Sequence, residues 1–494
     1  MMDTSKGIVQ PSLAARAFRA GKFRLGASFR FGRARGAFCH SGWCQQCKVA
    51  LKDGSVGLAC QISADDLAQL RPDPRWKGAV SYAARFMRPW FHEKVILRPA
   101  ALQQWFLGFI RHASRALPLS APTGRASSHG TIICDVLVVG AGIAGTAALE
   151  ALQERGVDAV IVDESELTFL DHRHKFGNTT VLGIYRRGNN GEYFALCAKP
   201  TGTLEVLFNR LVLATGTYDR LLPFPGNDIP GIIGLHAFRK LSMRGLLAKN
   251  KTYAIYTSEA TAHEAKEIAS AAGVRFLYAA GSSNLPDDLA DNCLKGVQIT
   301  RATGRSRLQK LWFSNGRRAR CDVLVVGYQQ PRYELQLQSG QQLTWRGSGS
   351  AIEPAGEANF PVLVVGAAAG VTENIAEVTR SDVLAWLLDG RTPRRYAFEP
   401  LPGCENMDDQ TIICPCEDVT VGDIRQALRD GFGGIEHLKR RTGAATGPCQ
   451  GKLCHCLLLQ CLAEGGYPPA LPTMRPLIRP TSLASFAGGI ENDK

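Results

Sequence analysis

Fifteen cysteines punctuate this 494-residue chain, and eight of them fall into two spaced quartets. Near the amino terminus, CHSGWCQQCKVALKDGSVGLAC sets Cys39, Cys44 and Cys47 in a C-x4-C-x2-C loop, with Cys60 following after twelve residues. Towards the other end, CPCEDV and TGPCQGKLC supply Cys414, Cys416, Cys449 and Cys454 as a C-x-C and a C-x4-C pair. A [2Fe-2S] cluster requires four thiolates, two per iron, and one tight loop can provide three of them. The N–H groups of such a loop point at the sulfides and offset their negative charge. Gly42 lets the first loop turn closely, and Gly447 and Gly451 do the same for the second. The fourth amino-terminal ligand, Cys60, then arrives after a Lys52-Asp53-Gly54 turn. Structural zinc is the alternative for each quartet, although zinc sites usually pair two C-x2-C knuckles. Cys456 stands beside Cys454 in sequence and leaves the last ligand open between the two. In a long chain with no apolar leader after the first methionine, clustered cysteines point to metal rather than disulfides. Cys134, Cys197, Cys293, Cys321 and Cys404 read as buried small hydrophobes.

A second chemistry is written between the quartets. Gly140-Ala141-Gly142-Ile143-Ala144-Gly145 follows an apolar strand and opens an Ala-rich helix, the context a dinucleotide-binding GxGxxG requires. Glycines there allow a pyrophosphate to approach the helix N-terminus. Asp163 follows the next strand, 23 residues after Gly140, where an acid would hold a ribose hydroxyl, and Glu164 is the adjacent candidate. Ala214-Thr215-Gly216 supplies a further flavoprotein element. No motif offers a convincing general base, so no catalytic residue is assigned.

These groups need elements to hold them. Apolar runs predict strands at Ile132–Val139, Val160–Val162, Leu211–Ala214, Tyr253–Tyr256, Val274–Tyr278, Val323–Val326 and Val362–Val365. Alternation of strands with helical stretches implies parallel, helix-covered sheets, hence an α/β class. Thr420 is an N-cap with Asp423 at the capping-box position, Ile424 and Leu428 share one face of that helix, and Gly431 closes it. The expected division is a cysteine domain over 1–70, a linker region over 71–130, a Rossmann-type domain over 131–400 and a helical cysteine domain over 401–494.

With 45% apolar and 21% charged residues the chain is globular. No run approaches 18 consecutive apolar residues, so no membrane span is expected. Residues 1–130 carry 20 Lys and Arg against 6 Asp and Glu, which equals the net charge of +14 for the whole chain. That basic region suits an acidic partner or an anionic surface; no nucleic-acid module accompanies it, so nucleic acid is not expected.

The first three amino-terminal cysteines resemble ferredoxin-like domains, which implies a β-grasp fold, though few residues precede the loop to build its first hairpin. The carboxy-terminal set resembles the bacterioferritin-associated-ferredoxin-like (BFD-like) [2Fe-2S] domain. That likeness extends to Glu417-Asp418-Val419-Thr420, Lys439-Arg440-Arg441-Thr442 and Gly447-Pro448-Cys449-Gln450-Gly451. In their order, the three modules resemble the α subunits of heteromeric bacterial amine and amino-acid dehydrogenases, among them opine oxidase, hydrogen cyanide synthase, hydroxyproline dehydrogenase and sarcosine oxidase. Leu213-Ala214-Thr215-Gly216-Thr217-Tyr218-Asp219-Arg220, Pro223-Phe224-Pro225-Gly226 and the aromatic run from Arg88 to Arg115 carry it further. The resemblance implies a pyridine nucleotide-disulfide oxidoreductase-like flavoprotein core with FAD and two [2Fe-2S] clusters, and room for FMN at a subunit interface. It implies a flavoprotein β subunit of D-amino-acid-oxidase type that oxidises the substrate C–N bond, and a further small subunit or acidic acceptor. It places the chain in the cytoplasm, with peripheral membrane attachment through its complex as a variant.

Three departures bear on the nucleotide sites. After Asp163 the chain runs almost directly to Thr179-Thr180-Val181-Leu182-Gly183. Strand 253–256 is followed by Thr257-Ser258-Glu259-Ala260, without the glycines that NAD(P) would need. Gly366-Ala367 stands where such flavoproteins carry Gly-Asp. Expected, then, is an electron-transfer subunit of an amine or amino-acid oxidoreductase. The competing readings are a cluster-bearing scaffold with a degenerate nucleotide site and a self-sufficient NAD(P)H-dependent flavin reductase.

Overall fold

The computed structural model describes residues 10–28, 31–52, 56–65, 128–167, 175–187, 192–281, 293–345, 347, 352–354, 358–391, 398–481 and 486. The aromatic run from Arg88 to Arg115 and nearly all of the expected linker lie outside the described residues, as do Asp53 and Gly54. The chain divides into two compact units, each drawn from three separate stretches. One takes Met1–Leu119, Asp219–Tyr328 and Leu401–Pro469, and the other takes Ser120–Tyr218, Gln329–Pro400 and Ala470–Lys494.

The unit containing Gly140 is built on a seven-stranded sheet. Strand Ser128–Val139 is central, pairing in parallel with Ala159–Val162 on one side and Gly202–Leu213 on the other. Val362–Val364 joins Gly202–Leu213 in parallel. Side chains alternate across a strand. Val136 and Val138 therefore pack with Ala148, Leu149 and Leu152 of helix Ile143–Gln153 and with Val383 and Trp386 of helix Ile375–Asp389. Leu137 and Val139 face the opposite way, towards Val206, Leu211 and Leu213. The sheet is not wholly parallel as the alternation of elements implied. Thr180–Arg187, Glu192–Lys199 and the start of Gly202–Leu213 pair antiparallel in sequence order, since the four and two residues between them are too few for a crossover helix. The last stretch of the chain lies in this unit, where the Ile478 N–H donates to the Leu182 carbonyl at 2.8 Å.

In the other unit a five-stranded sheet is parallel throughout, in the order Ile232–Gly234, Val323–Gly327, Thr252–Thr257, Arg275–Ala280, Cys293–Leu294. Phe238 and Leu241 of helix Leu235–Met243 and Ala262, Ala265 and Ala269 of helix Ala262–Ala271 cover it. The same core takes in Phe18 of the amino-terminal helix Leu13–Arg19 and Phe23 just beyond it. The cysteine-bearing start of the chain forms two separate ribbons among its described residues, Gly26–Ala27 with Ala34–Arg35 and Lys48–Ala50 with Val56–Leu58. Its carboxy-terminal counterpart is three short helices, Val421–Arg429, Ile435–Thr442 and His455–Glu464. The first of these begins with the expected capping box: Thr420 Oγ1 accepts from the Asp423 N–H, and Asp423 accepts from the Thr420 N–H. Gly431 follows its C-cap with φ of +91°. No helix of the described residues is long and apolar enough to cross a membrane.

Candidate functional site

Cys39, Cys44, Cys47 and Cys60 are brought together as buried free thiols. Three residues of their loop, His40, Gly42 and Gln45, have positive φ. Such a run of left-handed turns curls the backbone around the thiols and aims N–H groups inward. Ser41 and Cys44 each donate a backbone N–H to Cys39 Sγ at 3.4 Å. The Lys48–Leu58 register of the following ribbon carries Cys60 back beside Cys47, whose carbonyl accepts from the Ala59 N–H at 2.9 Å. Burial, and then the neighbouring Cys39, Cys47 and Cys60, push the Cys44 thiol well above its usual value. A hydrogen bond with the Cys47 thiol, followed by burial, does the same to Cys60. Cys44 and Cys60 thus resist ionisation beside the other two buried sulfurs, and a bound metal cation would favour their thiolates.

Cys414, Cys416, Cys449 and Cys454 form the second gathering. Cys414 ends strand Ile412–Cys414, and Cys454 is the N-cap of helix His455–Glu464. Hydrogen bonds with the Cys416 and Cys454 thiols raise Cys414, whereas those from Cys414 and Cys449, assisted by the Cys449 N–H, pull Cys416 well below its usual value. A side chain at Gly447 could not coexist with this arrangement, because its Cβ would stand 2.3 Å from Cys416 Cβ. Cys454 faces Cys414, while the Cys456 thiol is hydrogen-bonded by Arg220. The geometry thus separates the two sequence candidates and turns Cys454 to the quartet. Among the described residues, no three His, Cys, Asp or Glu side chains are grouped closely enough to hold a metal ion. The quartets are gathered, hydrogen-bonded thiols rather than cages already drawn in around one ion.

The glycine loop has the form of a dinucleotide cradle. A Cβ at Gly145 would lie 1.7 Å from the Gly140 carbonyl oxygen, so helix Ile143–Gln153 can approach the turn only with glycine there. Gly142 is the N-cap of that helix, and a Cβ on it would meet no protein atom within 4 Å. The space over the helix N-terminus is therefore open, as a pyrophosphate would need. Asp163 is engaged by the backbone: Ala141 N donates to its Oδ2 and Ser165 N to its Oδ1, each at 2.7 Å. Its carboxylate holds the glycine turn in place. Glu164 is paired with Arg479 and lies 3.8 Å from Arg332. Ala214 continues from strand Gly202–Leu213, its N–H donating to the Val139 carbonyl at 2.9 Å, and Thr215 Oγ1 donates to the Arg332 carbonyl at 3.3 Å. Gly216 turns the chain with φ of +70°. Gly366 packs so tightly that a Cβ would be 2.4 Å from Ala144 Cβ, and the next residue, Ala367, brings no carboxylate to this mouth.

In the parallel sheet, the loop after Thr252–Thr257 is closed by side chains. Thr261 Oγ1 donates to the Gly327 carbonyl at 2.6 Å and Ser258 Oγ to the same oxygen at 3.3 Å. Thr257 hydrogen-bonds the Tyr278 hydroxyl. These hydroxyls tie the loop to the ends of the neighbouring strands. Nearby, Asp219 is fully buried and accepts from the His236 N–H at 3.1 Å, with His236 Nδ1 at 2.9 Å. It therefore caps helix Leu235–Met243, a role that the run Thr217-Tyr218-Asp219-Arg220 did not disclose.

A profile described as the sarcosine oxidase A3 domain matches residues 408–489. The opine oxidase A chain of Rhizobium meliloti, one subunit of that enzyme, is 23% identical over 72% of this chain and 99% of its own length. The alpha subunit of sarcosine oxidase from the same organism is 24% identical over 98% of this chain, which spans only 56% of that longer protein. The HcnB subunit of hydrogen cyanide synthase from Pseudomonas aeruginosa is 24% identical over 64% of this chain and 90% of its own. The crystal structure of L-proline dehydrogenase from P. horikoshii superimposes with a TM-score of 0.66, covering 96% of this chain and 93% of that one at 17% identity. At that identity the superposition establishes a shared fold, the α/β Rossmann-like arrangement expected from the strand and glycine pattern. The chain is thus similar over most of its length to components named for opine oxidase, sarcosine oxidase and hydrogen cyanide synthase, which are oxidoreductases.

Proposed function

We propose that this chain is the electron-transfer subunit of a heteromeric flavin and iron–sulfur oxidoreductase that oxidises the C–N bond of an amino acid, opine or secondary amine. The observation that carries this reading is the presence, in one chain, of two cysteine quartets, buried but for the partly exposed Cys416, and an open glycine cradle. Cys39, Cys44, Cys47 and Cys60 would hold one [2Fe-2S] cluster, and Cys414, Cys416, Cys449 and Cys454 the other. Gly140, Gly142 and Gly145 would bind the pyrophosphate of FAD, with Ala214, Thr215 and Gly216 at the opposite lip. When bound, the flavin supplies two-electron and the clusters one-electron chemistry. The chain's own residues bury, orient and hydrogen-bond these groups. The substrate site belongs, in this reading, to a flavoprotein partner, consistent with relatives that are named as subunits.

One observation favours a narrower reading of the nucleotide site. Asp163 and Glu164 are already engaged, and Ala367 offers no carboxylate, so the cradle would bind its nucleotide mainly through backbone. The hydroxyls on the Gly327 carbonyl speak against NAD(P) in the parallel sheet and hence against a self-sufficient reductase.

Purification of the native complex, with iron, sulfide and flavin analysis and dye-reduction assays, tests the proposal. About four irons and four sulfides per chain are expected, two for each quartet. Amine-dependent dye reduction is expected only when the partner is present. Full activity from this chain alone, or a preparation free of iron, would overturn it.

A further inference from the structure

Both quartets lie in the same unit, and the two ligand-bearing segments touch. Gln46, between Cys44 and Cys47, extends its amide to the far quartet: Nε2 donates to Cys416 Sγ at 3.4 Å and to its own loop's Cys44 carbonyl at 3.0 Å. One amide group thus bridges a backbone carbonyl of the first loop and a sulfur of the second. The join is held by a buried ionic network. Asp418, 1% exposed, pairs with Arg35 and accepts from Ser28 Oγ at 2.5 Å and the Phe31 N–H at 2.9 Å. Arg35 also donates to the Pro415 carbonyl at 2.9 Å, directly between Cys414 and Cys416. The same arginine, with Arg33, is anchored by Asp228, and the neighbouring Asn227 Nδ2 donates to the Ile412 carbonyl at 2.8 Å. A residue packed this way between two ligand loops has a defined position, not a swinging one.

We infer that the two cysteine quartets form a single coupled redox unit, joined through Gln46, in which the amino-terminal loop tunes the carboxy-terminal cluster. The inference rests on the proposed iron–sulfur reading. Its physics is that of outer-sphere hydrogen bonding. A donor to a ligating sulfur stabilises the more negative, reduced state and raises the potential. Gln46 is a positioning residue; the sulfur of Cys416 is the atom it acts on.

The test is a redox titration of the intact chain followed by electron paramagnetic resonance, comparing the unsubstituted protein with Gln46→Met, which keeps the shape and removes the amide. Gln45→Met is the control, since Gln45 Nε2 donates within its own loop, to the Gly42 carbonyl at 2.7 Å. Expected for Gln46→Met is about a tenfold loss in the reduced-to-oxidised ratio of the carboxy-terminal cluster at fixed potential, about 59 mV for a one-electron couple. Gln45→Met is expected to leave that cluster unchanged. In the unsubstituted chain, full reduction is expected to broaden or split the signals through interaction of the two spins. Unchanged potentials in a Gln46→Met protein with full iron content would overturn the inference, and so would two magnetically isolated signals in the unsubstituted chain. Iron analysis keeps the two failures apart: a chain without clusters refutes the iron–sulfur reading, whereas loaded but uncoupled clusters refute only the coupling.

Discussion

At the scale of single residues, the glycine loop separates two effects that a sequence motif merges. Gly145→Ala places a Cβ against the Gly140 carbonyl at 1.7 Å, so the helix must move away from its turn. Gly142→Ala meets no protein atom and falls at an N-cap with ordinary extended backbone, where alanine costs about 1 kcal/mol at most. Gly142→Ala is therefore expected to melt within a few degrees of the parent yet lose flavin at least about tenfold, its methyl standing in the pyrophosphate path. Gly145→Ala is expected to lose both flavin and stability. Flavin per polypeptide and thermal melts of the two variants check this, and normal flavin content in Gly142→Ala would show that the cradle is not used. The glycines and cysteines were legible because their chemistry is local and spacing displays it. Gln46 was not, nor was the way Asp418 is used, because each acts on a segment several hundred residues away.

At the scale of elements, the two ribbons at the start of the chain have only a small apolar core, and buried charge helps to fix them. Burial alone would raise the Asp228 carboxyl, but Arg35 and Arg33 beside it hold it well below the usual carboxylate range. A depressed carboxylate stabilises the fold above its unfolded value of about 3.9, and that contribution fades as the pH falls below it. Asp228→Asn, which leaves partly exposed Arg33 facing a neutral amide and buried Arg35 with Asp418 as its remaining carboxylate, should destabilise the fold at neutral pH by somewhat less than the roughly 3–5 kcal/mol of a wholly unpaired buried ion. The gap between variant and parent should begin to narrow below about pH 4, where Asp228 takes up a proton in the unfolded parent while the folded carboxylate stays ionised. Urea unfolding at pH 7 and pH 3 measures both, and a gap independent of pH would contradict the argument. The sequence showed the parallel strands and the Thr420 capping box, since apolar runs and cap residues announce themselves over a few positions. It did not show the antiparallel meander over 180–213, where connections are short and the strands carry mixed faces. Nor did it show the hydroxyls that tie the loop after Thr257 to Gly327 and Tyr278, because the missing glycines said only what was absent.

At the scale of the whole molecule, charge is the property most relevant to assembly. The full excess of +14 is concentrated in residues 1–130. If that region meets an acidic partner, raising the ionic strength from about 0.1 M to about 1 M shortens the screening length from about 10 Å to about 3 Å and should weaken association markedly. Affinity of the purified chain for its partner, measured across that range, decides the matter. A salt-independent affinity would assign the basic residues to a solvated face instead.

The sequence separation of the contacts around Asp418 governs how this protein can be made. Ser28 and Asp418, which hydrogen-bond to each other, are 390 residues apart in the chain. At about 5–20 residues per second, the ribosome needs roughly 20–80 s to deliver the second after the first. Through that interval the thiols of Cys39, Cys44, Cys47 and Cys60 have left the ribosome while the segment that braces their loop has yet to be translated. A fragment ending before Cys414 would therefore carry these thiols without the hydrogen bonds that Cys416 and Asp418 make to their segment.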